Sequence, residues 1–218
     1  MEINKIKTLI KKGESEFLEF KLKTTHPMRI LNELVAFANT KGGQLIIGVN
    51  DKDLSIHGVK HGDEDVFLMQ KLIQDHIYPD LKYQISRIPI SKKRDLILLE
   101  IPEGKQKPYY VNEKPEDRNG IAYVRLKDES IKAGKILRMM MNEKFKDKPN
   151  SISIAGDIEI IFSLLKSKER VNFEEIRHTI NKSKRITELL LLKMLKMDLI
   201  GFNLERQDEF YLKEPDLN

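Results

Sequence analysis

The chain has 218 residues, enough for one large domain or two modest ones, and 40% of them are hydrophobic, enough to build a core. It contains no cysteine, which excludes thiol catalysis, disulfides and cysteine-based zinc sites. Charged residues make up 33% and the net charge is +5, so the balance leans toward polyanionic partners while acids remain plentiful.

Residues 1–12 set lysines among Ile3, Ile6, Leu9 and Ile10, the spacing of a short amphipathic helix that Gly13 ends. With charges throughout, this start does not read as a signal peptide. No run of about 18 apolar residues follows anywhere, so a soluble, cytoplasmic protein is expected. Residues 14–21 place Phe and Leu among acids and read as a strand with one wet face. Pro27 suits a first helical turn, and Ile30, Leu31, Leu34, Val35 and Ala38 recur at helical spacing until Gly42 and Gly43 stop them. Leu45 to Val49 is a continuous apolar run of strand length, which belongs in mid-sheet. Residues 50–53 form a turn, and a further strand is expected at 56–59.

Asp63 can cap a third helix, with Val66, Met69, Leu72 and Ile73 inward and Pro79 past its end. Residues 83–90 and 96–101 read as a hairpin, followed by short strands at 109–111 and 121–126 around a polar loop. Ser130 then caps a helix carrying Ile131, Ile136, Leu137 and Met140. The charged, proline-bearing stretch 144–150 marks a domain boundary. Beyond it, apolar helical patterns at 158–165, 173–180 and 186–195 precede a terminal hairpin at 199–212. Three helices plus a hairpin is the winged-helix order. The expected fold class is therefore α+β: a mixed α/β domain over residues 1–145, then a small winged helix-turn-helix over 151–218.

In a helix-turn-helix the second helix enters the major groove by its N-terminal end. Here that helix starts near Ser183, where Lys182, Lys184 and Arg185 cluster. Lys193 and Lys196 can lie along phosphates, and Arg206 sits in the terminal hairpin. The plainer reading makes these cations a solvated face.

Gly13-Glu14-Ser15-Glu16-Phe17-Leu18-Glu19-Phe20-Lys21 resembles the opening Gly-Glu-x-x-x-x-Glu-Phe-Lys motif of the Schlafen AlbA-like domain. Residues 36–43, with Asn39, Gly42 and Gly43, and the following Leu45-Ile46-Ile47-Gly48-Val49-Asn50-Asp51 are similar to that family's most distinctive segment. Ile121-Ala122-Tyr123-Val124-Arg125 resembles its late tyrosine-arginine strand, with Ser130 and Ala133 beyond. The resemblance covers roughly residues 10–142. It implies an AlbA-like fold and DNA binding; prokaryotic members often add a C-terminal helix-turn-helix and are described as transcriptional regulators. The family's older ATPase label finds no phosphate-cradling Gly-x-x-x-x-Gly-Lys-Ser/Thr loop here. Read from the residues alone, Asn39, Gly42 and Gly43 also serve a tight helix-to-strand turn.

Animal Schlafens include RNases that cut tRNA and rRNA, and their metal-binding acids correspond to Glu14, Glu19 and Asp51. The resemblance thus implies an alternative: three carboxylates holding Mg²⁺ or Mn²⁺ for phosphodiester cleavage. Two departures count against it. The animal nuclease core uses two such lobes where this chain has one, and RNA cleavage does not need a winged helix. In the plainer reading Glu14 and Glu19 pair with Lys21, Arg125 or other cations. His26, His57 and His61 lie in strand or loop segments unsuited to zinc. Met139 to Met141 read as helix packing. Tyr109 and Tyr110, near Lys105 and Lys107, can stack on unpaired bases or simply pack in a strand.

The expectation is a DNA-binding regulator that binds duplex DNA as a homodimer, with no cofactor, no membrane and no catalysis required. A metal-dependent nuclease is the first alternative and a protein-binding adaptor the second.

Overall fold

A computed structural model describes residues 3–117, 120–142 and 155–213, which divide into two compact units, Met1–Ala133 and Gly134–Asn218. Both mix helices with small sheets, so the fold class is α+β. No helix among the described residues is long and apolar enough to cross a membrane.

The first unit opens with α1 (Ile3–Ile10), followed by β1 (Leu18–Lys21), α2 (Pro27–Asn39) and β2 (Gly43–Ile47). Next come α3 (Gly62–His76), β3 (Ile77–Tyr78), β4 (Gln84–Ser91) and β5 (Arg94–Ile101). Three short strands close it: β6 (Tyr110–Val111), β7 (Tyr123–Leu126) and β8 (Glu129–Lys132). The main sheet has the order β1-β2-β5-β4, with β1 parallel to β2 and the other pairs antiparallel. The apolar run 45–49 does lie in mid-sheet, and alternation divides it between two cores. Leu45 and Ile47 join α2 and α3 residues on one face. Ile46 joins Ile6 and Ile10 of α1 on the other, and Val49, past the end of β2 and the positive-φ Gly48, turns to that same core. Each buried aliphatic side chain contributes about 1.5–3 kcal/mol, so both helical layers are held by the same strand.

Four expectations need correction. β1 has no wet face, because Glu19 is only 6% exposed. Residues 56–59 make isolated bridges, Val49 with Ile56 and Val59 with Asp95, and no strand. Asp63 is not a cap: α3 starts after His61 with no side-chain cap bond, and Asp63 pairs with Arg87. Ser130 does not cap a helix either. It sits in β8, paired with β7 across a tight turn where Lys127 has φ +56°. Ser130 stands directly opposite Arg125 in that ladder.

The second unit contains α4 (Lys135–Met141), α5 (Ala155–Ser167), β9 (Val171–Asn172), α6 (Phe173–Thr179) and α7 (Lys184–Lys196). β10 (Ile200–Phe202) and β11 (Glu209–Leu212) complete it. The three helical patterns expected between 158 and 195 are all present, as is the terminal hairpin. Sequence reading missed β9, which pairs with β11 to give the antiparallel order β10-β11-β9. Two residues carry too little periodicity to signal a strand. Ile136 of α4 packs with Ile161, Ile176, Leu191 and Phe210 in the second unit's core, whereas Met140 is exposed. The stretch 144–150 lies outside the described residues. Ser183 caps α7, its Oγ accepting from the Ile186 N–H at 3.4 Å.

Candidate functional site

The densest polar cluster of the first unit centres on Arg125 of β7, whose side chain is fully buried. Its Nη1 donates to Glu19 Oε2 at 3.0 Å, to Glu33 Oε2 at 2.7 Å and to Ser130 Oγ at 3.1 Å. Its Nη2 donates to the carbonyls of Ser15 at 2.8 Å and Asp128 at 3.0 Å. Only Nε lacks a partner, and the guanidinium carbon stands 4.9 Å from the centre of the Phe37 ring, whose face receives the delocalised charge. Strand alternation puts Glu19 and Lys21 on one face of β1, and the two side chains pair there. Ser130 donates to Glu33, completing the ring of partners.

Glu14 joins this cluster from the loop before β1, its Oε1 accepting from the Phe20 N–H at 2.8 Å. Three carboxylates, Glu14, Glu19 and Glu33, thus share two cations, Arg125 and Lys21. Burial pushes the Glu14 and Glu33 carboxyls above their ordinary value, and the charge of Glu19 adds to both shifts. A carboxyl raised in the folded state binds more protons there than in the unfolded chain at pH values just above the ordinary carboxylate range. Its stabilising contribution is complete below the unfolded pKa and is lost as pH rises through the folded one. Glu14→Gln should therefore gain on the wild type as pH rises from about 4.5 toward neutrality. Urea midpoints over that range check this; parallel curves for the two proteins refute it.

The end of α2 is held just as closely. Asn39 donates from Nδ2 to the carbonyls of Tyr109 at 2.9 Å and Tyr123 at 2.8 Å, and its Oδ1 accepts from the Tyr109 N–H at 2.7 Å. Gly42, at φ +81°, returns its N–H to the Phe37 carbonyl at 2.9 Å. A side chain at Gly43 would start 2.3 Å from the Phe37 ring. The glycine pair thus serves both the helix stop and the close approach of β2.

Asp51 sits in the exposed turn after β2 and lines a cleft of 520 Å³ together with Lys21, Glu33 and Ser130. Glu14 and Glu19 come together; Glu19 is engaged by Arg125 and Lys21 and Glu14 by a backbone N–H. Among the described residues no three His, Asp or Glu side chains are grouped so as to hold a metal ion. Tyr109 is core, 4% exposed, which removes it as a stacking platform. Lys107 is spent on the Thr40 carbonyl and Glu103, each at 2.6 Å.

The sequence pattern of the family described as Schlafen, AlbA_2 matches residues 14–134, more than half of the chain. The chain belongs to this family. Among solved structures, the chain is similar to the DIP2311 protein of Corynebacterium diphtheriae, at 19% identity and a TM-score of 0.40. That match covers 56% of this chain and 22% of the other, so the chain spans about a fifth of that protein's length. It is also similar to the N-terminal domain of a protein from Nitrosomonas europaea named as related to the ATP-dependent DNA helicase RecG. There the identity is 19%, the TM-score 0.41, and the coverage 55% of this chain and 87% of the other. No curated protein matches the chain.

Two residues of the Schlafen AlbA_2 cluster escaped sequence reading or were given another role. Glu33 lies among the apolar positions of α2, and nothing in a helical pattern tells a buried acid from a solvated one. Ser130, before an apolar pattern, has the sequence look of a cap but sits in β8. In the second unit, Lys184, Arg185 and Lys193 are exposed and engaged in no ion pair among the described residues. Lys182 stands 3.6 Å from Asp157, and Arg206 pairs with Glu209 at 3.0 Å. Lys196 is exposed on the last turn of α7.

Proposed function

We propose that the protein is a cytoplasmic, DNA-binding transcriptional regulator whose second unit is a winged helix-turn-helix. The observation that carries this reading is the start of α7. Lys184 and Arg185 project from its first turn at the helix N-terminus, a combination suited to phosphates and guanine edges. The order α5-β9-α6-α7-β10-β11, with β9 closing the three-stranded sheet, supports it. The β10–β11 hairpin takes the place of the wing and carries Arg206. Membership of the Schlafen AlbA_2 family, and the helicase-related name of one structural neighbour, fit a nucleic-acid partner. In this reading the protein acts as a homodimer on two half-sites.

Duplex binding should weaken steeply with salt, because lysine and arginine contacts release counterions. Lys184→Ala with Arg185→Ala should cost roughly tenfold or more on a specific site and flatten the salt slope by about two. Fluorescence anisotropy over a salt series, with light scattering to count protein copies per duplex, measures both. Equal binding by wild type and double variant would remove α7 as the reader.

The acidic cluster, in this reading, is structural. Glu19 and Glu33 already share the Arg125 cation and Glu14 accepts a backbone N–H, so these three carboxylates need no metal. Incubation with labelled tRNA and Mn²⁺ should leave the RNA intact. Metal-dependent cleavage abolished by Asp51→Ala would instead establish the nuclease alternative at Glu14, Glu19 and Asp51.

A further inference from the structure

The 520 Å³ cleft beside the Arg125 cluster has a size suited to a small ligand. Part of its wall is already committed: Lys21 to Glu19, and Glu33 to Arg125 and Ser130. The remaining polar lining is not. Among the described residues, no hydrogen bond or ion pair engages the side chains of Lys23, His26, Arg29, Asn32 or Asp51. All five converge on one concavity from the segment before α2, the first turns of α2 and the turn after β2. Two cations, an imidazole, a carboxylate and an amide, none with a side-chain partner among the described residues, therefore line one concavity.

We propose that this cleft binds a phosphomonoester, as a free nucleotide or as the phosphorylated 5′ end of a nucleic-acid strand.

A phosphomonoester carries a charge of about −1.5 to −2 at neutral pH and three acceptor oxygens. Lys23 and Arg29 match that charge, and the guanidinium fork can take two of the oxygens at once. A phosphodiester has one charge and chain on both sides, which suits an open surface better than a concavity. Asn32, one turn after Arg29 on α2, and Asp51, in the turn after β2, have the chemistry for sugar hydroxyls: an amide that both donates and accepts, and an acceptor. The Tyr123 phenol lines the same space, and burial raises its pKa, so it stays a donor. Engagement of Glu33 by Arg125 and Ser130 partly offsets the charge that would otherwise repel the phosphate.

The inference rests on the nucleic-acid reading only for the strand-end source, so the test separates the two. Anisotropy compares short single strands with a 5′-phosphate or a 5′-hydroxyl, and calorimetry measures adenosine 5′-monophosphate and inorganic phosphate on the full chain. A roughly tenfold preference for the phosphorylated strand is expected, lost in Arg29→Gln and Lys23→Gln. Both residues are exposed, so the melting temperature should not move. Binding of the mononucleotide without any preference between strands would assign the cleft to free nucleotides. No binding of mononucleotide or phosphate together with equal affinity for the two strands would overturn the proposal. Duplex affinity through Lys184 and Arg185, measured on the same variants, stays at the wild-type level either way. Its loss would instead count against the α7 reading.

Discussion

Arg125→Met should destabilise the first unit by about 3–5 kcal/mol, the cost of leaving buried charges without their partner. The variant keeps a long apolar stem in the strand but strips Glu19 and Glu33 of the guanidinium between them, and the carbonyls of Ser15 and Asp128 of their donor. Glu19 retains Lys21 and Glu33 retains Ser130, so the unit should weaken without collapsing into a different fold. The physical claim is sharpened by a rescue. In Arg125→Met/Glu19→Gln/Glu33→Gln the uncompensated charges are gone, and much of the loss should return, since a neutral replacement of a whole buried ion cluster is often tolerated. Urea unfolding followed by tyrosine fluorescence reads the first unit through Tyr109 and Tyr123. A triple variant no more stable than the single one would show that the carbonyl bonds, not the charges, make Arg125 necessary.

The same cluster marks how far sequence reading reaches. Periodicity found α2, the mid-sheet run of β2, the β4–β5 hairpin and the three helices of the second unit, because each buries a face whose apolar residues repeat at the right spacing. It also paired Glu19 with Lys21 and with Arg125. It failed where polar residues replace apolar ones inside. Glu19 alternates with Leu18 and Phe20 as a solvated residue would, yet Arg125 covers it. Glu33 carries no local sign that its helix face meets β7 and β8. Ser130 precedes an apolar pattern and so mimics a cap, while its actual place depends on the turn at Lys127 and Asp128, which lets β8 fold back on β7. These errors share one cause: a buried ion cluster is specified by long-range pairs, which one-dimensional spacing does not display. In the second unit Lys184 and Arg185 were legible because they stand at a helix start. Which of the unit's cations remain unpaired was not, since Asp157 and Glu209 approach Lys182 and Arg206 only in the folded chain.

Asn39→Leu should cost the first unit roughly 3 kcal/mol or more, although leucine is close in size and more apolar. Asn39 is 4% exposed at the end of α2, and its amide is the shared partner of three backbone groups. They are the Tyr109 N–H, the Tyr109 carbonyl and the Tyr123 carbonyl, all within 2.9 Å of the side chain. Leucine can bond none of them, and each buried group left alone costs about 1–3 kcal/mol. Local compensation is blocked, because the nearby donors are already taken: the Gly42 N–H by the Phe37 carbonyl and the Gly104 N–H by the Ala38 carbonyl. The consequence reaches the strand that carries Arg125, since the Tyr123 carbonyl begins β7 and the Arg125 N–H is fixed by Thr40 Oγ1 at 2.9 Å. Two measurements separate this from a general loss of packing. Hydrogen exchange at the Tyr109 amide should accelerate far more than at amides within β2 and β5, which keep their ladder partners. Asn32→Ala, on the same helix but half-exposed and unbonded, should stay within about 0.5 kcal/mol of the wild type. Equal protection at Tyr109 in wild type and Asn39→Leu would mean that the asparagine is held by the fold and does not hold it.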